Sequence, residues 1–251
     1  MLIGVILAAG EGTRMGLRDV NKTTVLFNGK PLIQYGVDLF TQCVDETYVV
    51  VGAHSESIRH VLAGEKNINY VEQTERRGTG HALIAALRQI VADGKHPELV
   101  IVGYGDHMMF YTPEVVANLI AAHRKNNAVV TLISTSYDDP DYIAWGRIIR
   151  DTQGKLVDIV EQKDATDEQR KIKESNAGFY ALDFTFATSS ITKVLSMNKP
   201  GEYYINDFTT VALREKKNVT VLEIPFEKVG IGINTHEQHS ESTEYYLQTR
   251  A

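Results

Sequence analysis

A chain of 251 residues, 43% hydrophobic and 23% charged, can bury a large core in one domain, or in one domain carrying a lobe. Its formal net charge of −6 argues against a broad nucleic-acid surface, which needs massed lysine and arginine, so any phosphate site must gather positive charge locally. Met1 to Ala9 is apolar but has no basic leader and runs into Gly-Glu-Gly-Thr-Arg, so neither a signal peptide nor a membrane span is expected, and the cytoplasm is the expected location.

Leu2 to Leu7 is a short apolar run followed by glycines, which reads as a buried strand. Pro31 is placed to open a helix through Phe40, and Tyr48 to Val51 is a second buried strand. Cys43, the single cysteine, has no partner for a disulfide or a zinc site and is expected to serve packing. Thr79 to Ala92 carries Leu83, Ala86, Leu87, Ile90 and Val91 at helical spacing before a strand at Leu99 to Val102. Val116, Leu119, Ile120 and His123 repeat the helical pattern before Val129 to Ile133. This alternation predicts an α/β fold, a Rossmann-like, three-layer, mostly parallel sheet with ligands at the strands' carboxyl ends.

From Trp145 the texture changes to short strands, Arg147 to Ile149 and Leu156 to Val160, joined by Asp-Thr-Gln-Gly. They predict a small antiparallel flap over roughly residues 136–185. Lys163 to Ser175 is dense in charge and reads as a solvated helix or loop. Without repeats or a linker, residues 1–251 form a single domain, closed by a helix over 235–251.

Leu7-Ala8-Ala9-Gly10-Glu11-Gly12-Thr13-Arg14-Met15-Gly16 follows the first strand directly. Small residues let backbone N–H groups approach phosphate oxygens, and Arg14 adds a planar cation suited to them. The alternative is a glycine loop that merely turns the chain. The spacing matches neither a Walker loop nor a dinucleotide fingerprint.

Leu-Ala-Ala-Gly-x-Gly-Thr-Arg-Met, then Lys22, then Gly29-Lys30-Pro31-Leu32 resembles the nucleotidyltransferases that make nucleotide sugars. Gln73 with Gly78-Thr79-Gly80-His81-Ala82, Tyr104-Gly105-Asp106, Gly146-Arg147-Ile148, the run Val160 to Arg170, Gly201-Glu202-Tyr203-Tyr204-Ile205-x-Asp207 and Gly232-Ile233-Asn234 follow in order. Together they are similar to the uridylyltransferase domain of the bacterial N-acetylglucosamine-1-phosphate uridylyltransferases, over nearly the whole chain. The acetyltransferase half of that family is not matched.

The resemblance implies attack of a sugar-1-phosphate on the α-phosphorus of an NTP, UTP by preference, with Mg²⁺ as cofactor. It implies Arg14 and Lys22 as catalytic cations and Asp106 with Asn234 as metal ligands. Ala8, Ala9, Gly10, Gly12, Gln73, Gly78 and Thr79 would bind the nucleotide, and Tyr104, Gly146, Glu161 and Asn176 the sugar. For Asn234 alone, a helix cap before Thr235 is the other reading. Partners would be an NTP and a sugar-1-phosphate, with neither nucleic acid nor membrane, in a monomer or small homo-oligomer.

Several positions depart from the family pattern, among them Asn21 for Pro, Arg76 for Gln, His107-Met108-Met109 for Val-Pro-Leu, Ala177 for Thr and Ile231 for Glu. A different sugar or base is therefore open, with CTP or GTP as alternative donors. A nucleotide-binding regulatory protein is the remaining alternative. The final-helix pair Tyr245-Tyr246 is expected to pack on the sheet.

Overall fold

A computed structural model describes residues 1–10, 12, 15–16, 19–197 and 201–250. The chain opens with β1 (Leu2–Leu7), whose Ile3, Val5 and Ile6 are fully buried. A parallel strand covered on both faces is apolar at successive positions, so its sequence shows a run and no alternation. A short hairpin, β2 (Leu26–Phe27) and β3 (Lys30–Pro31), precedes α1 (Leu32–Cys43). Pro31 is the residue before that helix rather than its first turn. The alternation continues through β4 (Glu46–Val51), α2 (Ser55–Val61), β5 (Ile68–Glu72), α3 (Thr79–Ala92), β6 (Leu99–Tyr104), α4 (Pro113–Lys125) and β7 (Val130–Ser136). After α5 (Pro140–Ile143) come the hairpin β8 (Arg147–Arg150) and β9 (Leu156–Val160), α6 (Asp167–Arg170) and β10 (Glu174–Asp183). The chain closes with α7 (Phe184–Ser196), α8 (Asn206–Arg214), β11 (Val219–Glu223) and α9 (His236–Arg250).

The central sheet runs β11-β7-β10-β6-β1-β4-β5. β1 pairs in parallel with β4 and β6, β4 with β5, and β7 with β11. Between β6 and β7, β10 runs against both of its neighbours. One face of the sheet is covered by α3, α7 and α8 through Leu83, Leu87, Phe186 and Phe208. The other is covered by α1 and α4 through Ile33, Phe40, Leu119 and Ile120. These are the three layers and the mostly parallel sheet expected from the sequence.

The flap is smaller than the expected 136–185. Its hairpin joins β10 at Ser175 opposite Arg147, but Tyr180 to Asp183 lie inside the central sheet against β6. A register shift between Asn176 and Tyr180 lets one strand serve both units. The tyrosines of α9 also sit elsewhere than expected: Tyr246 packs edge-on to Phe27 and Phe110, at 5.3 Å from each, in a separate aromatic cluster beside the β2–β3 hairpin.

Arg147 ties the flap hairpin to the segments on either side of it, α5 and the end of α6. It is fully buried and donates to the carbonyls of Pro140 (2.8 Å), Arg170 (3.3 Å) and Trp145, with the exposed Asp141 at 3.3 Å. Burial pulls its pKa below the usual arginine value. Arg147→Ala leaves those carbonyls without a donor and is expected to destabilise the protein by about 3 kcal/mol. Denaturant unfolding followed by the fluorescence of Trp145, the single tryptophan, measures the loss; an unchanged midpoint would contradict this account.

Candidate active site

At the carboxyl end of β1 the ladder continues one step, with Ala8 N–H donating to Val50 O (2.9 Å) and Gly105 N–H to Leu7 O (3.0 Å). Beyond Ala9 the chain leaves the sheet and returns at Asn21, which is fully buried. The Asn21 amide donates to the carbonyls of Ala8 (3.0 Å), Gly10 (3.1 Å) and Ala53 (3.2 Å). Its oxygen accepts from the backbone and hydroxyl of Thr23, at 2.9 and 2.8 Å. Asn21 thereby caps the single turn Lys22–Thr24 and fixes the base of the glycine loop at once. Gly12 has φ +65°, and a Cβ there would stand 2.7 Å from Lys22 Cβ, so only glycine fits this approach. Glu11, Thr13 and Arg14 lie outside the described residues.

Lys22 points its ammonium at Asp106, which follows β6, and donates to Asn234 Oδ1 at 3.0 Å. Its side chain is 12% exposed and that of Asp106 20%. The Ile233 N–H donates to Asp106 O (3.1 Å), which ties the segment carrying Asn234 to the end of β6. Thr235, rather than Asn234, caps α9 by accepting from Gln238 N–H (3.1 Å), and Gln238 Oε1 accepts from Asn234 N–H (2.9 Å). The cap reading of Asn234 therefore does not apply. Its side-chain oxygen and the Asp106 carboxylate converge on one cation.

This trio lies on the floor of a cleft of about 470 Å³. Ala8, Ala9, Gly10, Gly12, Gln73, Gly78, Thr79 and Tyr104 all line it, so residues scattered from Ala8 to Tyr104 come together with the trio as the motif order implies. Asn21, Thr23, Arg76 and Glu202 line it too. Gly78, at φ +90°, lets the start of α3 press on the backbone of Tyr203, with Gly80 N–H donating to Tyr203 O at 2.8 Å. Gln73 is buried, and its amide donates to Gly78 O (3.1 Å) and meets His81 Nδ1 at 3.3 Å. Burial lowers the His81 pKa, which favours the neutral ring that can accept there. At the rim, Lys163 donates to Glu202 (2.7 Å) and holds its carboxyl below the usual range.

A second cleft of about 250 Å³ adjoins the first and shares Thr79, Tyr104, Asp106 and Asn234 with it. His107 and Trp145, with ring centroids 4.6 Å apart, and the floor Ala177-Gly178 complete its wall. His107 is buried, which lowers its pKa, and its Nε2 meets Gly230 O at 3.2 Å. Asn176 lines this cleft, whereas Gly146 and Glu161 are not on the described wall of either cleft. Both stand just behind it: Gly146 O accepts from Asn176 N–H (2.8 Å), and Glu161 accepts from Asn206 Nδ2 (2.6 Å). Asn206, Trp145 and Glu202 were not singled out from the sequence. Only the Gly-Glu-Tyr-Tyr-Ile-x-Asp motif around Asn206 pointed near it.

Residues 4–172 match the model of the MobA-like NTP transferase domain. This chain belongs to the MobA-like NTP transferase family. Curated relatives of this transferase carry the name bifunctional protein GlmU. That of Geobacter metallireducens is 33% identical over 248 residues, covering 98% of this chain and 51% of the relative. That of Francisella philomiragia is 37% identical over 237 residues, covering 93% and 49%. The chain thus spans about half the length of the curated relatives it matches. Among solved structures, a glucose-1-phosphate thymidylyltransferase from Bacillus anthracis has a TM-score of 0.76 at 19% identity, covering 97% of this chain and 94% of that one. A UDP-glucose pyrophosphorylase complexed with UDP-glucose has a TM-score of 0.75 at 20% identity, covering 99% of each chain. At that identity they establish a shared nucleotidyltransferase fold. No helix among the described residues is long and apolar enough to cross a membrane.

In this transferase, Lys22→Ala and Asp106→Asn are each expected to lower turnover by about 10²–10³-fold while the far-ultraviolet dichroism stays that of the parent. Pyrophosphate release at the parental rate by either variant would remove these residues from the chemistry. Asn21→Ala is expected to raise the KM for the nucleotide about tenfold, because the loop carbonyls lose their shared donor. Equal KM values for variant and parent would show that the loop holds its shape without the tether.

Proposed function

We propose that this chain is a sugar-1-phosphate nucleotidyltransferase, converting UTP and N-acetylglucosamine-1-phosphate into UDP-N-acetylglucosamine and pyrophosphate. It rests on one observation above all: Lys22, on the floor of the larger cleft, meets Asp106 and Asn234, which line both of two adjoining clefts. The larger suits a nucleotide and the smaller a phosphorylated acceptor. The relatives named GlmU, and the likeness in fold to a pyrophosphorylase complexed with UDP-glucose, support the same class of substrate.

A phosphate oxygen of the sugar-1-phosphate forms a bond to the α-phosphorus, and the α–β bond breaks with its electron pair leaving on pyrophosphate. The second pKa of a phosphate monoester is about 6, so the nucleophile is ionised near neutrality and needs no general base. What the protein must supply is position and positive charge. Lys22 is the described cation at the floor, and Arg14 from the glycine loop is proposed beside it. The backbone of Ala8, Ala9, Gly10 and Gly12 would follow the base and phosphates, with Gly78 and Thr79 opposite. The Gln73 amide nitrogen is engaged with Gly78 O and His81, which leaves its oxygen to read a base N–H. Tyr104 and Asn176 would border the sugar, with Gly146 and Glu161 supporting from behind.

Asp106 and Asn234 fit a Mg²⁺ ion. Two hard oxygens already face one cation, and no group of three or more His, Cys, Asp or Glu gathers among the described residues. That suits an ion which takes one or two protein ligands and completes its shell with water and phosphate oxygens. When bound, it would neutralise phosphate charge as a Lewis acid.

Arg76 on the nucleotide cleft and His107 with Ala177 on the acceptor cleft favour a second reading, the same chemistry with CTP or GTP or with another phosphorylated acceptor. A pyrophosphate-release screen crossing four NTPs with a panel of sugar-1-phosphates, with and without Mg²⁺, separates them. UTP with N-acetylglucosamine-1-phosphate is the expected best pair. A preference for another nucleotide sinks the uridylyl assignment, and nucleotide binding without any release sinks the enzymatic one.

A further inference from the structure

A third cavity, of about 520 Å³, lies at the opposite end of the sheet from the two clefts. It opens where β7 and β11 begin, whereas the clefts lie where β1 and β6 end, and all four strands run the same way. Lys155 from the turn of the flap hairpin lines it, with Lys216 and Lys217 from the end of α8, and its described lining holds no acidic residue. None of these three lysines is in an ion pair among the described residues, although the chain carries a net charge of −6.

Lysines beside helix ends ordinarily answer the carbonyls that a helix leaves without donors. Here other groups supply those carbonyls. At the end of α8, Val211 O, Ala212 O and Leu213 O accept from the N–H groups of Glu215 (3.0 Å), Lys217 (2.9 Å) and Lys216 (3.0 Å). At the end of α4, Ala122 O accepts from Asn126 Nδ2 (2.8 Å) and His123 O from Ala128 N–H (3.0 Å), while Asn126 O accepts from Asn218 Nδ2 (3.1 Å). The carboxylates beside these lysines in the chain are turned to other partners: Glu215 pairs with Lys193, and Asp151 accepts from the N–H groups of Gln153 and Lys155, at 2.9 Å each. Three like charges thus border one cavity, and their mutual repulsion falls when an anion enters. The lining also narrows the kind of anion. Asn126 and Asn218 have their amide nitrogens engaged, so what remains on each side chain is an oxygen that accepts from a hydroxyl. The buried Leu156 and the half-buried Leu213 add an apolar patch that suits a carbon chain.

We propose that this cavity binds a small phosphate ester carrying hydroxyl groups, and that it is an effector site for the acceptor cleft. Two elements connect the places. β9 runs from Leu156, on the cavity wall, to Val160, next to Glu161, and α8 runs from Asn206 to Arg214, just before Lys216. Their far ends meet where Glu161 accepts from Asn206 Nδ2 at 2.6 Å, behind the second cleft. An anion that bridges Lys155 with Lys216 and Lys217 holds the hairpin against α8 and so steadies the wall at the other end of both. The effector role rests on the transferase reading; the binding site does not.

Isothermal titration of the full chain with glycerol 3-phosphate at low salt tests the site. The parent and Lys22→Ala, which alters the floor of the larger cleft, should bind the ester alike. The combined variant Lys155→Gln, Lys216→Gln, Lys217→Gln should bind it about tenfold more weakly or worse, since each exposed lysine contributes through charge alone. In the parent, affinity should also fall several-fold as salt rises from about 0.01 to 0.1 M, a reading that does not depend on any variant folding. Equal affinity in the parent and the combined variant, a loss in Lys22→Ala instead, or binding indifferent to salt overturns the site. The second arm is initial-rate pyrophosphate release with UTP. Glycerol 3-phosphate should lower the KM for N-acetylglucosamine-1-phosphate about threefold in the parent and leave it unchanged in the combined variant, whose KM without the ester should equal the parent's. Plain competition at the acceptor cleft raises that KM in both proteins alike, and this outcome, or an unchanged KM in the parent, overturns the effector role. Failure of the parent to release pyrophosphate with any sugar-1-phosphate overturns the transferase reading and the effector role with it, and the titration still decides the site.

Discussion

A lysine ammonium, an aspartate carboxylate and an asparagine oxygen meet in a place with little water, and the cleft is organised around that meeting. Lys22 comes from the turn after the glycine loop, Asp106 from the end of β6 and Asn234 from the approach to α9. With side-chain exposures of 12% and 20%, neither the ammonium nor the carboxylate is fully hydrated, and each tolerates that because the other is present. The contact therefore fixes three segments, far apart in the chain, around one point of charge. An incoming phosphate competes for the ammonium, and a divalent ion competes for the two oxygens. In the proposed function the same three groups hold the cleft together and supply the charge the reaction needs, so assembly and chemistry share one device.

Much of the scaffold was legible in the sequence because its strands are buried on both faces. Leu2 to Leu7, Tyr48 to Val51 and Leu99 to Val102 show up as apolar runs, and Thr79 to Ala92 as a helix with matching bounds. β10 was misjudged for the same physical reason in reverse. Its membership in the central sheet depends on pairing with β6 and β7, which lie far back in the chain, and nothing local distinguishes it from another flap strand. The tyrosines of α9 were expected on the sheet, but the β2–β3 hairpin and Phe110 build a smaller core closer to hand. Within the cleft, the ordered motifs located its wall, while Asn206 stayed hidden: an asparagine in the first turn of a helix looks ordinary until Glu161 and Asn176 are seen on either side of it.

The departures from the family pattern acquire distinct physical roles. Asn21 does by hydrogen bonding what a proline does by ring closure, since both fix the backbone before Lys22, and the amide additionally gathers three loop carbonyls. His107 fills space against Trp145 and reaches Gly230 O, so it joins the end of β6 to the segment that leads to Asn234. Ile231 is buried, and its carbonyl accepts from Ser242 of α9 at 2.9 Å. Ala177 is buried with its carbonyl accepting from Tyr111 Oη at 3.1 Å, so the shorter side chain leaves the cleft floor open without weakening β10. Of these, Arg76 is the one on the nucleotide wall whose charge can alter recognition of a base directly.

The two clefts are built from different parts of the topology, and this separation has a consequence for specificity. The larger cleft, the nucleotide side in the proposed function, rests on the parallel strands β4, β1 and β6 and the start of α3, where Gly78 and Gly80 press on the backbone of Tyr203 and Tyr204. The acceptor side rests on β10 at its register shift, the end of the flap hairpin and the first turn of α8. Asn176, Asn206 and Glu161 there are joined by side-chain hydrogen bonds, so a substitution among them changes the pattern of donors and acceptors before it disturbs the sheet. The shared residues Thr79, Tyr104, Asp106 and Asn234 form the seam. In the proposed function, a change of acceptor therefore falls beyond that seam and leaves the residues proposed for phosphate chemistry in place.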